Sequence, residues 1–79
     1  MAEHVPVPVL AETTDLYVVD GWLVTVGQRV AAGDPVATME TDKVTVEVTC
    51  PLGGTIVALG GEVGDELRTG DPLLTIEAE

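Results

Sequence analysis

Few side chains in this sequence can do chemistry. It holds one lysine (Lys43), one cysteine (Cys50) and one histidine (His4), and it lacks serine and asparagine. A nucleophile and base pair cannot be assembled, because His4 lies in a Pro-flanked N-terminal segment expected to fray. One cysteine forms no intrachain disulfide, and with one histidine it builds no metal cluster. Cys50 precedes Pro51 and shares parity with inward valines, so it reads as a small buried hydrophobe rather than a reactive thiol. Glu40 and Asp42 are close in sequence, but among fourteen acidic residues they read as a solvated surface rather than a general acid and base. Gly53-Gly54 and Gly60-Gly61 lack the following helix that a phosphate loop requires, and read as turn or bulge glycines. Tyr17 and Trp22 read as packing residues. Lys43 remains: a primary amine at a turn between two apolar strands, flanked by Thr41 and Asp42, which suit tight backbone geometry. Such an amine can be acylated by a dedicated enzyme without any unfolding.

The chain around that amine is small. Seventy-nine residues make one domain, 1–79, because a chain this short buries only about 60% of its unfolded surface, and that leaves no room for an enclosed active site. The formal charge of −11 argues against nucleic acid and anionic membrane and favours a basic protein partner. No apolar run approaches a membrane span, and Met1 to Leu10 lacks the basic start of a signal peptide. An intracellular, cytoplasmic domain is expected.

Valine, threonine and isoleucine supply 26 of 79 residues, and β-branched side chains favour strands. Period-2 alternation is clearest in Val44-Thr45-Val46-Glu47-Val48-Thr49-Cys50, where the valines and Cys50 share one face. Further strands are expected at 5–9, 17–26, 35–39, 55–59 and 72–77, separated by Gly-containing turns. The sequence also repeats: residues 26–40 align without gaps on 63–77, identical at seven of fifteen positions and offset by 37. Both copies carry V-G and G-D-P. In G-D-P the glycine can take positive φ, the aspartate can bond the backbone, and the proline can open a strand. The expected fold is all-β, a flattened barrel-sandwich of two antiparallel sheets with pseudo-twofold symmetry. The lysine sits at a hairpin tip, and the C-terminus at a related, opposite end.

The run M-E-T-D-K-V-T-V-E-V (39–48) resembles the lipoyl-attachment hairpin of lipoyl domains, the mobile carriers of 2-oxo acid dehydrogenase acyltransferases. The resemblance extends from Trp22 to Glu77 through W-L-V-T-V-G, A-G-D-P, P-L-G-G-T-I, V-G-D and G-D-P-L-L-T-I-E. Biotinyl carriers share the fold but set their lysine between methionines, where this chain has Asp42 and Val44. The resemblance implies lipoate in amide linkage on Lys43, with Glu40, Thr41, Asp42 and Val44 read by partners and Glu47 further along the same strand. It implies no catalytic residue and no metal. The implied partners are a 2-oxo acid decarboxylase, an acyltransferase catalytic domain, dihydrolipoyl dehydrogenase, and a lipoate ligase or lipoyl transferase. The isolated domain is expected to be monomeric, in the cytoplasm or, in a eukaryote, the mitochondrial matrix. The run T-D-K-V-T-V-E-V leans to the 2-oxoglutarate branch. Two departures are the short segment 10–21, which lacks the usual Glu-Gly, and Gln28 in place of the second copy's Asp65. With no linker or acyltransferase sequence in 1–79, the expectation is an excised module or a free-standing carrier. The rival readings are a biotinyl carrier or a glycine-cleavage-type lipoyl protein, both disfavoured by the residues beside Lys43, and an unmodified structural or adaptor domain.

Overall fold

The computed structural model describes residues 2–78. Eight strands follow in order: β1 (Ala2–Pro6), β2 (Leu16–Trp22), β3 (Arg29–Val30), β4 (Pro35–Glu40), β5 (Thr45–Thr49), β6 (Gly54–Leu59), β7 (Glu66–Arg68) and β8 (Pro72–Ala78). They form two four-stranded sheets, ordered β1-β8-β6-β3 and β5-β4-β2-β7, with every pairing antiparallel. The described residues contain no helix. The expected all-β class and paired antiparallel sheets are what is observed.

The repeat governs the pairing. Gly21↔Thr38 and Trp22↔Ala37 in one sheet recur, 37 residues on, as Ala58↔Thr75 and Leu59↔Leu74 in the other, and the register slips at matching points, after Val19 and after Ile56. The G-D-P turns match as well. Gly33 and Gly70 have φ of 90° and 93°, conformations costly for any residue with a Cβ. Asp34 Oδ2 accepts the Ala31 N–H, and Asp71 Oδ2 the Arg68 N–H, each at 2.8 Å. Gln28 does with a longer side chain what Asp65 does in the second copy: its Oε1 accepts the Thr25 N–H at 3.2 Å, while Asp65 Oδ2 accepts the Glu62 N–H at 2.8 Å.

Between the sheets lies one apolar core, in which Tyr17, Val36, Met39, Ile56, Leu73, Leu74 and Ile76 are fully buried, and the described residues include no buried charged side chain. The Tyr17 hydroxyl is satisfied inside this core: it accepts the Leu10 N–H at 3.1 Å, donates to the Thr14 carbonyl at 3.2 Å and lies 3.1 Å from Thr69 Oγ1. Cys50 is fully buried with Sγ 3.1 Å from the Leu52 carbonyl, in keeping with an inert thiol. Trp22 is half-buried and donates from Nε1 to the Gly61 carbonyl at 2.9 Å. Gly60 is required by close approach rather than by a turn, since a Cβ there would overlap the Pro72 carbonyl oxygen.

Several boundaries differ from the sequence reading. The first strand is Ala2–Pro6, not 5–9, because β8 offers a partner edge down to Glu77 while Pro6 and Pro8 lack the N–H to continue the ladder. His4, expected to fray, is paired with Thr75, its Nδ1 3.0 Å from Thr75 Oγ1. The second strand stops at Trp22, and residues 23–26 lead into the V-G turn. Val44 is 60% exposed, because it lies at the hairpin tip, past the covered part of the sheet. The edge strands β3 and β7 are two and three residues long, too short for alternation to reveal.

Candidate functional site

The β4–β5 hairpin carries the residues singled out by the sequence. Glu40↔Thr45 is its last paired position, and Thr41, Asp42, Lys43 and Val44 form the tip. Asp42, Lys43 and Val44 are exposed and Thr41 is half-buried. The Lys43 ammonium makes no ion pair or hydrogen bond among the described residues, so its nitrogen is open to reaction without breaking a contact. The backbone beneath it is ordered: the Thr41 N–H donates to the Val44 carbonyl at 2.8 Å, and the Thr41 hydroxyl makes further bonds within the tip. All four tip residues and Glu40 are therefore together, as the sequence placed them.

Directly paired residues lie on one face of a sheet, so the register also defines what surrounds the tip. On the outer face of the hairpin's sheet, Thr45 pairs with Glu40, Glu40 with Val18, and Val18 with Glu66. In the next row Glu47 pairs with Thr38, whose hydroxyl donates to Asp20 at 3.2 Å. Asp20, Glu40, Glu47 and Glu66, all exposed, thus share the outer face of the sheet whose β4–β5 hairpin carries the tip. Asp20 and Glu66 escaped the sequence reading. Glu66 had a visible signal, since it aligns with Arg29 in the repeat. Asp20 had none, because it stands at the bulge that only pairing reveals.

The hairpin occupies in one sheet the position that residues 2 and 78 occupy in the other, since β5-β4 corresponds to β1-β8. The C-terminal ends of β2 and β6 meet where Trp22 bonds Gly61, so the opposite ends of these strands, beside Glu40 and Ala78 respectively, face away from one another along a body of 35 × 19 × 17 Å. No cluster of His, Cys, Asp and Glu able to hold a metal is found among the described residues. Nor is any described helix long and apolar enough to cross a membrane.

Comparison with known proteins identifies the family of the chain as a whole. The family described as biotin-requiring enzyme matches residues 3–76. A lipoamide acyltransferase component of the branched-chain alpha-keto acid dehydrogenase complex of Bacillus subtilis is 39% identical over 77 residues, covering 98% of this chain and 18% of that protein. The succinyltransferase component of the 2-oxoglutarate dehydrogenase complex of Bartonella vinsonii is 35% identical over 78 residues, covering 99% and 19%. The acetyltransferase component of the pyruvate dehydrogenase complex of Acholeplasma laidlawii is 41% identical over 56 residues, covering 71% and 10%. The chain thus spans less than a fifth of each of these proteins. Among solved structures, the lipoyl domain of the 2-oxoglutarate dehydrogenase complex of Azotobacter vinelandii superposes with a TM-score of 0.74, at 26% identity and 94% coverage of both chains.

Proposed function

Since this chain belongs to the biotin- and lipoyl-attachment family, as a lipoyl domain of the kind found in 2-oxo acid dehydrogenase acyltransferases, we propose that it carries lipoate on Lys43. In this role it moves acyl groups from a decarboxylase to an acyltransferase and electrons to dihydrolipoyl dehydrogenase. The observation that carries the reading is the unpartnered ammonium of the chain's one lysine on an ordered hairpin tip. The tip fits the group: the amine is exposed and attachment displaces nothing. When bound, lipoate supplies a dithiolane able to take up an acyl group and two electrons. The chain's own part is presentation and recognition. Amide formation removes the Lys43 charge and takes the domain from −11 to about −12, so attraction of partners falls to the carboxylates. Asp42 and Val44 flank the amine, while Glu40, Glu47, Asp20 and Glu66 make the adjoining face acidic, which suits a basic docking surface on the decarboxylase. With residues 2 and 78 at the far end, a tether does not obstruct the arm, and tethering raises the local concentration to roughly millimolar. Of the three branches named among the relatives, the run T-D-K-V-T-V-E-V favours 2-oxoglutarate. The setting is the cytoplasm or mitochondrial matrix.

The test is intact mass after incubation with lipoate, ATP and a lipoate ligase, beside a biotin ligase reaction and a Lys43→Arg variant. One lipoyl increment on the parent, none on the variant and no biotin uptake is the expected result. A folded parent that stays unmodified with both competent ligases leaves the adaptor reading in its place. Offering the lipoylated domain to each of the three decarboxylases reads the branch, and a rate of reductive acylation indifferent to ionic strength counts against docking through the acidic face.

A further inference from the structure

Two-residue hairpin tips ordinarily take type I′ or II′ turns, which place one or both central residues at positive φ. The tip Asp42-Lys43 does neither, because no non-glycine residue of the described chain has positive φ. It is closed differently. Of the two backbone bonds that would join Thr41 to Val44, one forms, from the Thr41 N–H to the Val44 carbonyl at 2.8 Å. The returning Val44 N–H meets not the Thr41 carbonyl but the Thr41 hydroxyl, at 3.1 Å. That same oxygen accepts the Lys43 N–H at 3.3 Å and donates to the Val44 carbonyl at 2.9 Å. A hydroxyl has one proton to donate and two lone pairs, and all three are used inside the tip. None is left for a partner to read. In the repeat the counterpart of Thr41 is Ala78, so this hydroxyl belongs to the lysine end alone.

We propose that Thr41 is a positioning residue for lipoylation, a role that rests on Lys43 being the lipoylated lysine: its hydroxyl replaces the missing backbone bond and holds Lys43 at the apex in the conformation the ligase accepts. Without the hydroxyl the tip samples several conformations, and the ligase binds only the competent fraction. A reduced competent fraction raises the apparent KM for the domain and leaves kcat unchanged.

The experiment compares the parent with Thr41→Val, which keeps the shape and loses the hydroxyl, and Thr41→Ser, which keeps the hydroxyl. Lipoylation by a lipoate ligase is followed by intact mass, and exchange of the Lys43 and Val44 amides by NMR. Thr41→Val is expected to raise KM for the domain about three- to tenfold, the range of a net hydrogen bond, with kcat kept. Its Lys43 and Val44 amides exchange faster while those of Val19 and Ile56 in the core do not. Thr41→Ser restores both KM and exchange. A parent that takes up lipoate on Lys43 while Thr41→Val does so with the parent's KM overturns the positioning role alone. Thr41→Ser as impaired as Thr41→Val overturns it too, by showing that the methyl and not the hydroxyl matters. A folded parent that takes up no lipoate removes the carrier reading and this role with it.

Discussion

The outer faces of the two sheets are built on the same frame and carry opposite chemistry. Position for position, Glu47 on the hairpin's sheet corresponds to His4 on the other, Glu66 to Arg29 and Asp20 to Val57, while Glu40 and Glu77 match. Backbone register, bulges and turns are duplicated, so packing does not account for the difference. All these positions outside the matching pair are exposed, where substitutions cost little stability. The acidic character is therefore concentrated on the outer face of the hairpin's sheet, while the equivalent face beside residues 2 and 78 keeps Glu77 alone of these four positions. The frame is what both halves supply to folding, and the charge pattern is what only one half presents to partners.

That contrast can be attacked from both sides. The largest effect should come from a point where the frame itself loses its symmetry. Gly60 corresponds to Leu23 in the first half, yet a Cβ at Gly60 would overlap the Pro72 carbonyl oxygen, so Gly60→Ala is expected to cost about 3 kcal/mol or more in urea unfolding. Leu23→Ala, at a side chain 47% exposed, should cost well under half of that. Comparable losses would mean that the close approach of β6 to β8 relaxes easily. Next in size is the exchange of charge between faces. Giving the hairpin's sheet the residues of its counterpart, Glu47→His with Glu66→Arg, should lower kcat/KM for reductive acylation by roughly tenfold at low ionic strength, with the gap closing as salt is added. His4→Glu on the other face should leave that rate unchanged. If both faces respond alike, the partner senses only net charge and the comparison fails. The smallest effect sharpens the equivalence of the frame. Asp34→Ala and Asp71→Ala each remove one carboxylate hydrogen bond of 2.8 Å and should each cost about 1 kcal/mol. Unequal costs in the same unfolding assay would show that one copy of the turn is the more heavily relied upon.

Much of this was legible in the sequence, and the parts that were share a cause. The G-D-P turns, the inward parity of Val48 and Cys50 and the exposed lysine tip each depend on residues adjacent in the chain, where local geometry dictates the outcome. The repeat carried this further, since fifteen aligned positions imply that what one half does the other does too. The missed elements are non-local. Strands β3 and β7 exist only because β6 and β2 present edges to them. His4 is held only because β8 runs alongside. Thr41 is a local exception: its hydroxyl bonds reach only Lys43 and Val44 within the tip.

By itself, then, the sequence determined the class of fold, its twofold plan and the position of its one reactive amine, because side-chain alternation, turn chemistry and the repeat are all encoded within a few residues of one another. Tertiary structure alone decided which carboxylates gather on the outer face of the sheet whose hairpin carries that amine. Asp20, Glu40, Glu47 and Glu66 come from four different strands, and their grouping depends on register and on a bulge after Val19. Register is set by burying the apolar face of each strand against the common core, and a slip of one residue would send every outward carboxylate inward.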